Sequence, residues 1–192
     1  MRSRQFVIVN EKRFHLKGDK LILGNLSIKN IEEIENLKNI PDLKELYLFN
    51  NEITEINGIE NLTSLEKLNL YGNKIRNIEN LVSLKNLKTL YLSENEISEI
   101  QGLENLTNLE TLSFETNWIN EIKGLKNLVN LENLNLYENN ISTISGLENQ
   151  HKLKMLRIGK NPLPPKLIEK LGGLDPNGYA RYPQLFVKYC EK

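Results

Sequence analysis

Apolar residues return along this chain at one fixed interval. Leu43, Leu65, Leu87, Leu109, Leu131 and Leu153 stand 22 residues apart. Three further on come Leu46, Leu68, Leu90, Leu112, Leu134 and Leu156, and two beyond those Leu48, Leu70, Leu92, Phe114, Leu136 and Ile158. The last two columns alternate with polar or aromatic positions, the period of a half-buried strand. An Asn then follows in every unit: Asn51, Asn73, Asn95, Asn117, Asn139 and Asn161. Ile53, Ile56, Ile59 and Leu62 and their equivalents fill a return arm that comes back to the next strand. The pattern predicts short parallel strands on one side of a stacked coil and turns or short helical segments on the other.

The Asn column explains itself by solvation. A buried turn leaves backbone groups without partners, each costing about 1–3 kcal/mol, and an Asn amide can serve both donors and acceptors. We therefore read this column as a structural ladder. A second column, Asn36, Gly58, Asn80, Gly102, Gly124 and Gly146, holds only the two residues that best tolerate a left-handed backbone. It predicts a positive-φ turn on each return arm.

Stepping back one period from Leu43 reaches Leu21, then Leu26, Ile31, Ile34, Leu37 and Ile40, with Gly24 and Lys29 in place of the expected Leu and Asn. Residues 21–42 are read as a degenerate first coil, as terminal repeats usually are. The division expected is one domain: 1–20 a hairpin cap, 21–152 six repeats, 153–175 the last repeat with a helical cap, and 176–192 a tail. In the cap, prolines precede a stripe of Leu167, Ile168 and Leu171, and Gly172 ends it. In the tail, a short helix from Pro183 would place Leu185, Phe186 and Tyr189 on one face. That face either packs on the cap, the favoured reading, or binds a partner.

The L-x-x-L-x-L-x-x-N spacing is that of leucine-rich repeats, and the chain resembles that superfamily over roughly residues 21–175. Its period resembles the subclass found in intracellular phosphatase-1 regulators and in bacterial internalins. The resemblance implies an α/β fold, a curved right-handed horseshoe with a parallel sheet on its concave face. It also implies a non-catalytic interaction module or regulatory subunit, with a phosphatase catalytic subunit or a small GTPase as partner.

Composition narrows the classes further. With 25 basic and 25 acidic residues there is no excess of positive charge to suggest a nucleic-acid partner. The single cysteine, Cys190, excludes an internal disulfide framework and suits a reducing compartment. The apolar run Phe6–Val9 is too short for a leader or a membrane span. A soluble, cytoplasmic protein is expected, a monomer unless the tail or the aromatic face self-associates. A secreted or surface adhesion protein of the internalin kind is the second class.

Catalysis finds little support. His15 and His151 are the only histidines and fall at opposite ends of the coil stack. The three Asp residues, Asp19, Asp42 and Asp175, are dispersed, and neither a phosphate-binding loop nor a metalloprotease motif is present. No metal, cofactor or enzymatic activity is expected.

Function is expected on the outward strand positions. Tyr47, Phe49, Tyr71 and Tyr91 should form an aromatic patch across coils two to four, with Lys67 among them. Glu94, Glu115 and Glu138 would give an acidic middle, while Lys154, Arg157 and Lys160 would turn the far end basic. Tyr137 lies on the same face, and Trp118, the only tryptophan, should sit on the rim. The alternative is that these rings merely stack as strand ladders. Tyr and Trp are enriched at interface hot spots, which favours the partner-binding reading for Tyr47, Phe49, Lys67, Tyr71, Tyr91, Glu94, Glu115, Trp118, Tyr137 and Arg157.

Overall fold

The computed structural model describes residues 5–192. The leading residues of the expected hairpin cap, 1–4, lie outside the described residues. Seven short strands form one parallel sheet in sequence order: β3 (Lys20–Ile22), β4 (Glu45–Tyr47), β5 (Lys67–Asn69), β6 (Thr89–Tyr91), β7 (Thr111–Ser113), β8 (Asn133–Asn135) and β9 (Met155–Arg157). From β4 onward each strand pairs with the residue 22 positions on, Leu46 opposite Leu68, then Leu90, Leu112, Leu134 and Leu156. The fold is the solenoid that the repeat predicts, with the leucines of both strand columns fully or almost fully buried.

The return arms stack as tightly as the strands. Asn36, Gly58, Asn80, Gly102, Gly124 and Gly146 all adopt φ between 60° and 76°. At Gly102, Gly124 and Gly146 a Cβ would press into the carbonyl oxygen of the preceding coil, at Ile78, Ile100 and Ile122. A further external ladder runs along the outside, where Asn86, Asn108 and Asn130 donate to the carbonyls of Thr63, Lys85 and Thr107 at 2.9 Å each.

The first coil departs from the sequence alignment. Leu21 pairs opposite Leu46, an offset of 25, whereas one period of 22 would set it against Leu43. Leu21 and Leu23 therefore occupy the two core strand positions, and both are fully buried. The three additional residues are absorbed near the 3-10 turn Ile31–Glu33, and the return arm regains the common register by Asn36. Gly24 is thus an outward position, not a failed core leucine. The Phe49 ring lies across it, where any Cβ would collide.

Both ends are covered. At the front, β1 (Phe6–Val9) and β2 (Lys12–His15) form an antiparallel hairpin. Its two-residue turn, Asn10–Glu11, has positive φ at both positions, as a type I′ turn requires. Val7 and Val9 enter the core, and Ile8 exchanges backbone hydrogen bonds with Glu35 at 3.1 and 3.0 Å.

At the back, α1 (Pro165–Lys170) starts on the expected prolines and stops where Gly172 and Gly173 take positive φ. The edge of β9 is closed by an antiparallel pass of the tail: Ile158 and Gly159 donate to the Gly178 carbonyl, and Ala180 donates to Leu156. Open sheet edges invite unwanted pairing, and this one is occupied by the chain itself. The tail helix α2 (Pro183–Cys190) packs on the end of the stack. Its apolar stripe is rotated from the expected one. Phe186 and Val187 are fully buried, whereas Leu185 remains 39% exposed. Gln184 sets this phase by donating to the Leu153 carbonyl at 2.7 Å.

Candidate partner-binding surface

The outward strand positions form three columns along the sheet. The first holds Lys20, Glu45, Lys67, Thr89, Thr111, Asn133 and Met155, the second Ile22, Tyr47, Asn69, Tyr91, Ser113, Asn135 and Arg157. The third, one step beyond the strand ends, holds Gly24, Phe49, Tyr71, Ser93, Glu115, Tyr137 and Gly159. The buried Asn ladder fixes this geometry. Each amide group from Asn73 to Asn161 accepts from the backbone N–H two residues past the preceding Asn and donates to a carbonyl of the preceding coil. Asn51 does the same for the first coil through Leu26, Ile28 and Leu23.

Immediately before each ladder Asn the chain passes through a left-handed residue: Asn50, Gly72, Glu94, Thr116, Glu138 and Lys160, with φ between 51° and 65°. Only one is Gly. Asn50 tolerates this conformation, whereas Glu94, Thr116, Glu138 and Lys160 carry a conformational strain of about 1–2 kcal/mol; each of the five presents a side chain at the border of the sheet face. The sequence carries this column at the common spacing, but its varied residue types conceal it.

At the first half of the surface, Lys67 stands between two tyrosines. Its ammonium nitrogen lies 5.5 Å from the Tyr47 ring centre and 5.3 Å from that of Tyr91. Tyr47 is also approached by Lys20 at 4.3 Å and donates its hydroxyl to Glu45 at 2.8 Å. Cation–π contacts of this kind are worth about 0.5–1 kcal/mol at exposed sites. The expected aromatic patch is therefore interleaved rather than ring on ring. Among the described residues the only aromatic pair is Phe6 with His15, in the hairpin. Phe49 turns away over Gly24, and the Glu94 carboxylate beside the Tyr71 hydroxyl raises that phenol's pKa.

At the second half the charges neutralise one another. Arg157 donates to Glu115 at 2.8 Å and to the Asn177 carbonyl at 2.9 Å, with its guanidinium 3.8 Å from the Tyr137 ring centre and 5.4 Å from that of Tyr179. Its side chain is only 20% exposed. Asn135 supplies the other carboxylate oxygen of Glu115 with a donor at 2.8 Å. Lys154 pairs with Glu132 at 2.8 Å and Lys160 with Glu138 at 3.3 Å. Of the expected acidic middle, Glu115 and Glu138 are paired with Arg157 and Lys160 of the expected basic end, because the coil stacking sets these charges one or two strands apart, while Glu94 stands beside Tyr71. Arg157 clamps the tail to the sheet. Trp118 is 53% exposed, with its backbone tied to Ile97.

His15 packs at an angle against Phe6 in the front hairpin, while His151 faces Glu191 at 3.6 Å at the other end, where burial raises the pKa of the Cys190 thiol. Among the described residues no group of His, Cys, Asp and Glu could hold a metal ion.

The family model described as leucine rich repeats (2 copies) matches residues 41–83 and 85–127. An internalin (inlF) from Listeria monocytogenes is 33% identical with a TM-score of 0.68, covering 77% of this chain and 42% of that one. Internalin C2 (inlC2) from the same species is 30% identical with a TM-score of 0.58, covering 76% of this chain and 73% of that one. A leucine-rich repeat protein of Leptospira interrogans is 27% identical with a TM-score of 0.64, covering 76% of this chain and 37% of that one. The chain thus spans under half the length of the first of these internalins. No curated protein matches it. The chain belongs to the leucine-rich repeat superfamily, whose members generally mediate protein–protein interaction and are typically non-catalytic.

Proposed function

We propose that this chain is a non-catalytic adaptor or regulatory module that holds a protein partner on the outward face of its parallel sheet. The observation that carries the reading is the cluster of Tyr47, Lys67, Tyr71 and Tyr91 on adjacent strands of that face. Tyrosines there offer large, stiff contact area with a polar tip, the chemistry enriched at interface hot spots. The cytoplasm is its place in this reading, and a phosphatase catalytic subunit or a small GTPase its partner class.

The test is capture from the source organism's lysate with wild type and with Tyr71→Ser, Tyr91→Ser, followed by titration of the purified partner. Loss of a specific partner from the double variant, with its melting transition retained, is the expected result. Equal capture by both baits would refute the placement on this face.

A second reading is a surface adhesion protein. The similarity to two internalins favours it. Fractionation of the source cells separates the two readings: recovery at the cell surface supports adhesion, recovery with the soluble contents the adaptor.

A further inference from the structure

The two halves of the sheet face share one local arrangement, an Asn that accepts from the N–H of the Tyr two residues on, but differ in what surrounds it: Tyr91 stands where the other half has Arg157, and Lys67 where it has Asn133. The segments KLNLYGN (67–73) and NLNLYEN (133–139) place Asn69 and Asn135 three repeats apart in one column. Both amide oxygens accept from the backbone N–H two residues on, Tyr71 at 3.0 Å and Tyr137 at 3.1 Å. This leaves both NH2 groups aimed along the face as donors.

In the second half, the Asn135 NH2 meets the Glu115 carboxylate at 2.8 Å, and Arg157 neutralises that carboxylate from the other side. In the first half, the residue corresponding to Glu115 is Phe49, which lies over Gly24. Among the described residues no acceptor faces the Asn69 NH2 group, and no carboxylate comes within 4 Å of Lys67. The acid on the neighbouring strand, Glu45, is already engaged by the Tyr47 hydroxyl at 2.8 Å and by Lys20 at 3.5 Å. Among the described residues Lys67 is a cation of this half with no ion pair of its own, two residues from Asn69 and so on the same side of β5, whereas Lys20 is paired with Glu45.

We propose that Lys67 and Asn69 receive the carboxylate of an Asp or Glu side chain of the partner protein, the group that Glu115 supplies internally in the other half. This rests on the proposed partner-binding role of the face. The Tyr47 and Tyr91 rings flank the ammonium and restrict its approach to the direction of the partner. The amide of Asn69 fixes the second oxygen, giving a two-point contact that water or a lone anion would satisfy poorly.

The test uses a phage-displayed random peptide library selected on the full chain. Selected peptides are sorted by whether Tyr71→Ser, Tyr91→Ser abolishes their binding. The expected result is that peptides dependent on that face share an Asp or Glu. Its replacement by Asn or Gln weakens binding to wild type about tenfold or more, the loss implied by a charge-assisted hydrogen bond. On Lys67→Met the same replacement has little further effect.

Asn69→Asp keeps the acceptor for the Tyr71 N–H and so the local turn, but it turns the donor into a repelling carboxylate. It should also weaken binding about tenfold, with the melting midpoint retained. Face-dependent peptides indifferent to both their acid and Asn69→Asp would overturn this inference and leave the partner-binding reading standing. A selection yielding no peptide sensitive to Tyr71→Ser, Tyr91→Ser would overturn both.

Discussion

Asn95→Ala isolates what the ladder does for stability. Asn95 is 6% exposed and makes four hydrogen bonds. Its NH2 group donates to the carbonyls of Leu70 and Leu92 at 3.0 and 3.1 Å and to Ser93 at 3.2 Å, while its oxygen accepts from the Ile75 N–H at 3.0 Å. These partners are unequal. Leu70 keeps a second donor in Asn73, Leu92 keeps one in Asn117, and the Ser93 carbonyl still accepts from Gly72. Among the described residues the Ile75 N–H has no other acceptor, and Ile75 lies in the core.

Stranding that N–H costs about 1–3 kcal/mol. The weakened carbonyls and the small void bring the total to about 3–4 kcal/mol. For a chain of this size that is a fall in melting midpoint of roughly 6–16 °C. Urea unfolding followed by circular dichroism measures the total, and amide hydrogen exchange locates it. The Ile75 amide should lose more protection than its neighbours in adjacent coils. A loss under about 1 kcal/mol, or an unchanged Ile75 amide, would refute the argument.

Two further outcomes are expected. Gln150 is fully buried in the column of Leu62, Leu84, Leu106 and Leu128, and its Oε1 has no partner among the described residues. Its NH2 group donates to the Leu125 carbonyl, which Leu128 already serves. Gln150→Leu should therefore stabilise the protein by about 1–3 kcal/mol, and a lower urea midpoint would contradict this. The Glu66 carboxylate is held below its ordinary value of 4.5 by hydrogen bonds from Lys88 and Lys44. A depressed carboxylate contributes stability above its unfolded-state pKa and loses it as pH falls through the folded-state value. The midpoint difference between wild type and Glu66→Gln should thus be present at neutral pH and close in acid. A gap that persists at about pH 3 would refute it.

The repeat made the solenoid legible because the same physical demand recurs in every coil. Leu columns at strand spacing, an amide column and a positive-φ column each have one structural solution, so Leu46, Asn51 and Gly102 declare their roles in isolation. Where the demand is met only once, the letters mislead. Leu21 looked like the first repeat leucine, yet the strand pairs three residues out of that register, because burying Leu21 and Leu23 together fills the core that Gly24 could not. The phase of α2 was likewise beyond the tail's own periodicity, since the Leu153 carbonyl that orients Gln184 belongs to another coil.

For the binding surface, strand alternation alone told from β4 onward which side chains point outward, because it requires nothing beyond neighbours in the chain. It did not determine their electrostatic state. Whether Arg157 and Glu115 are free charges or a closed pair depends on two strands separated by 42 residues. Only the stacking of coils at strand distance decides that, and it is the same stacking that sets two rings beside Lys67 and engages the neighbouring Glu45 with Lys20 and Tyr47 instead.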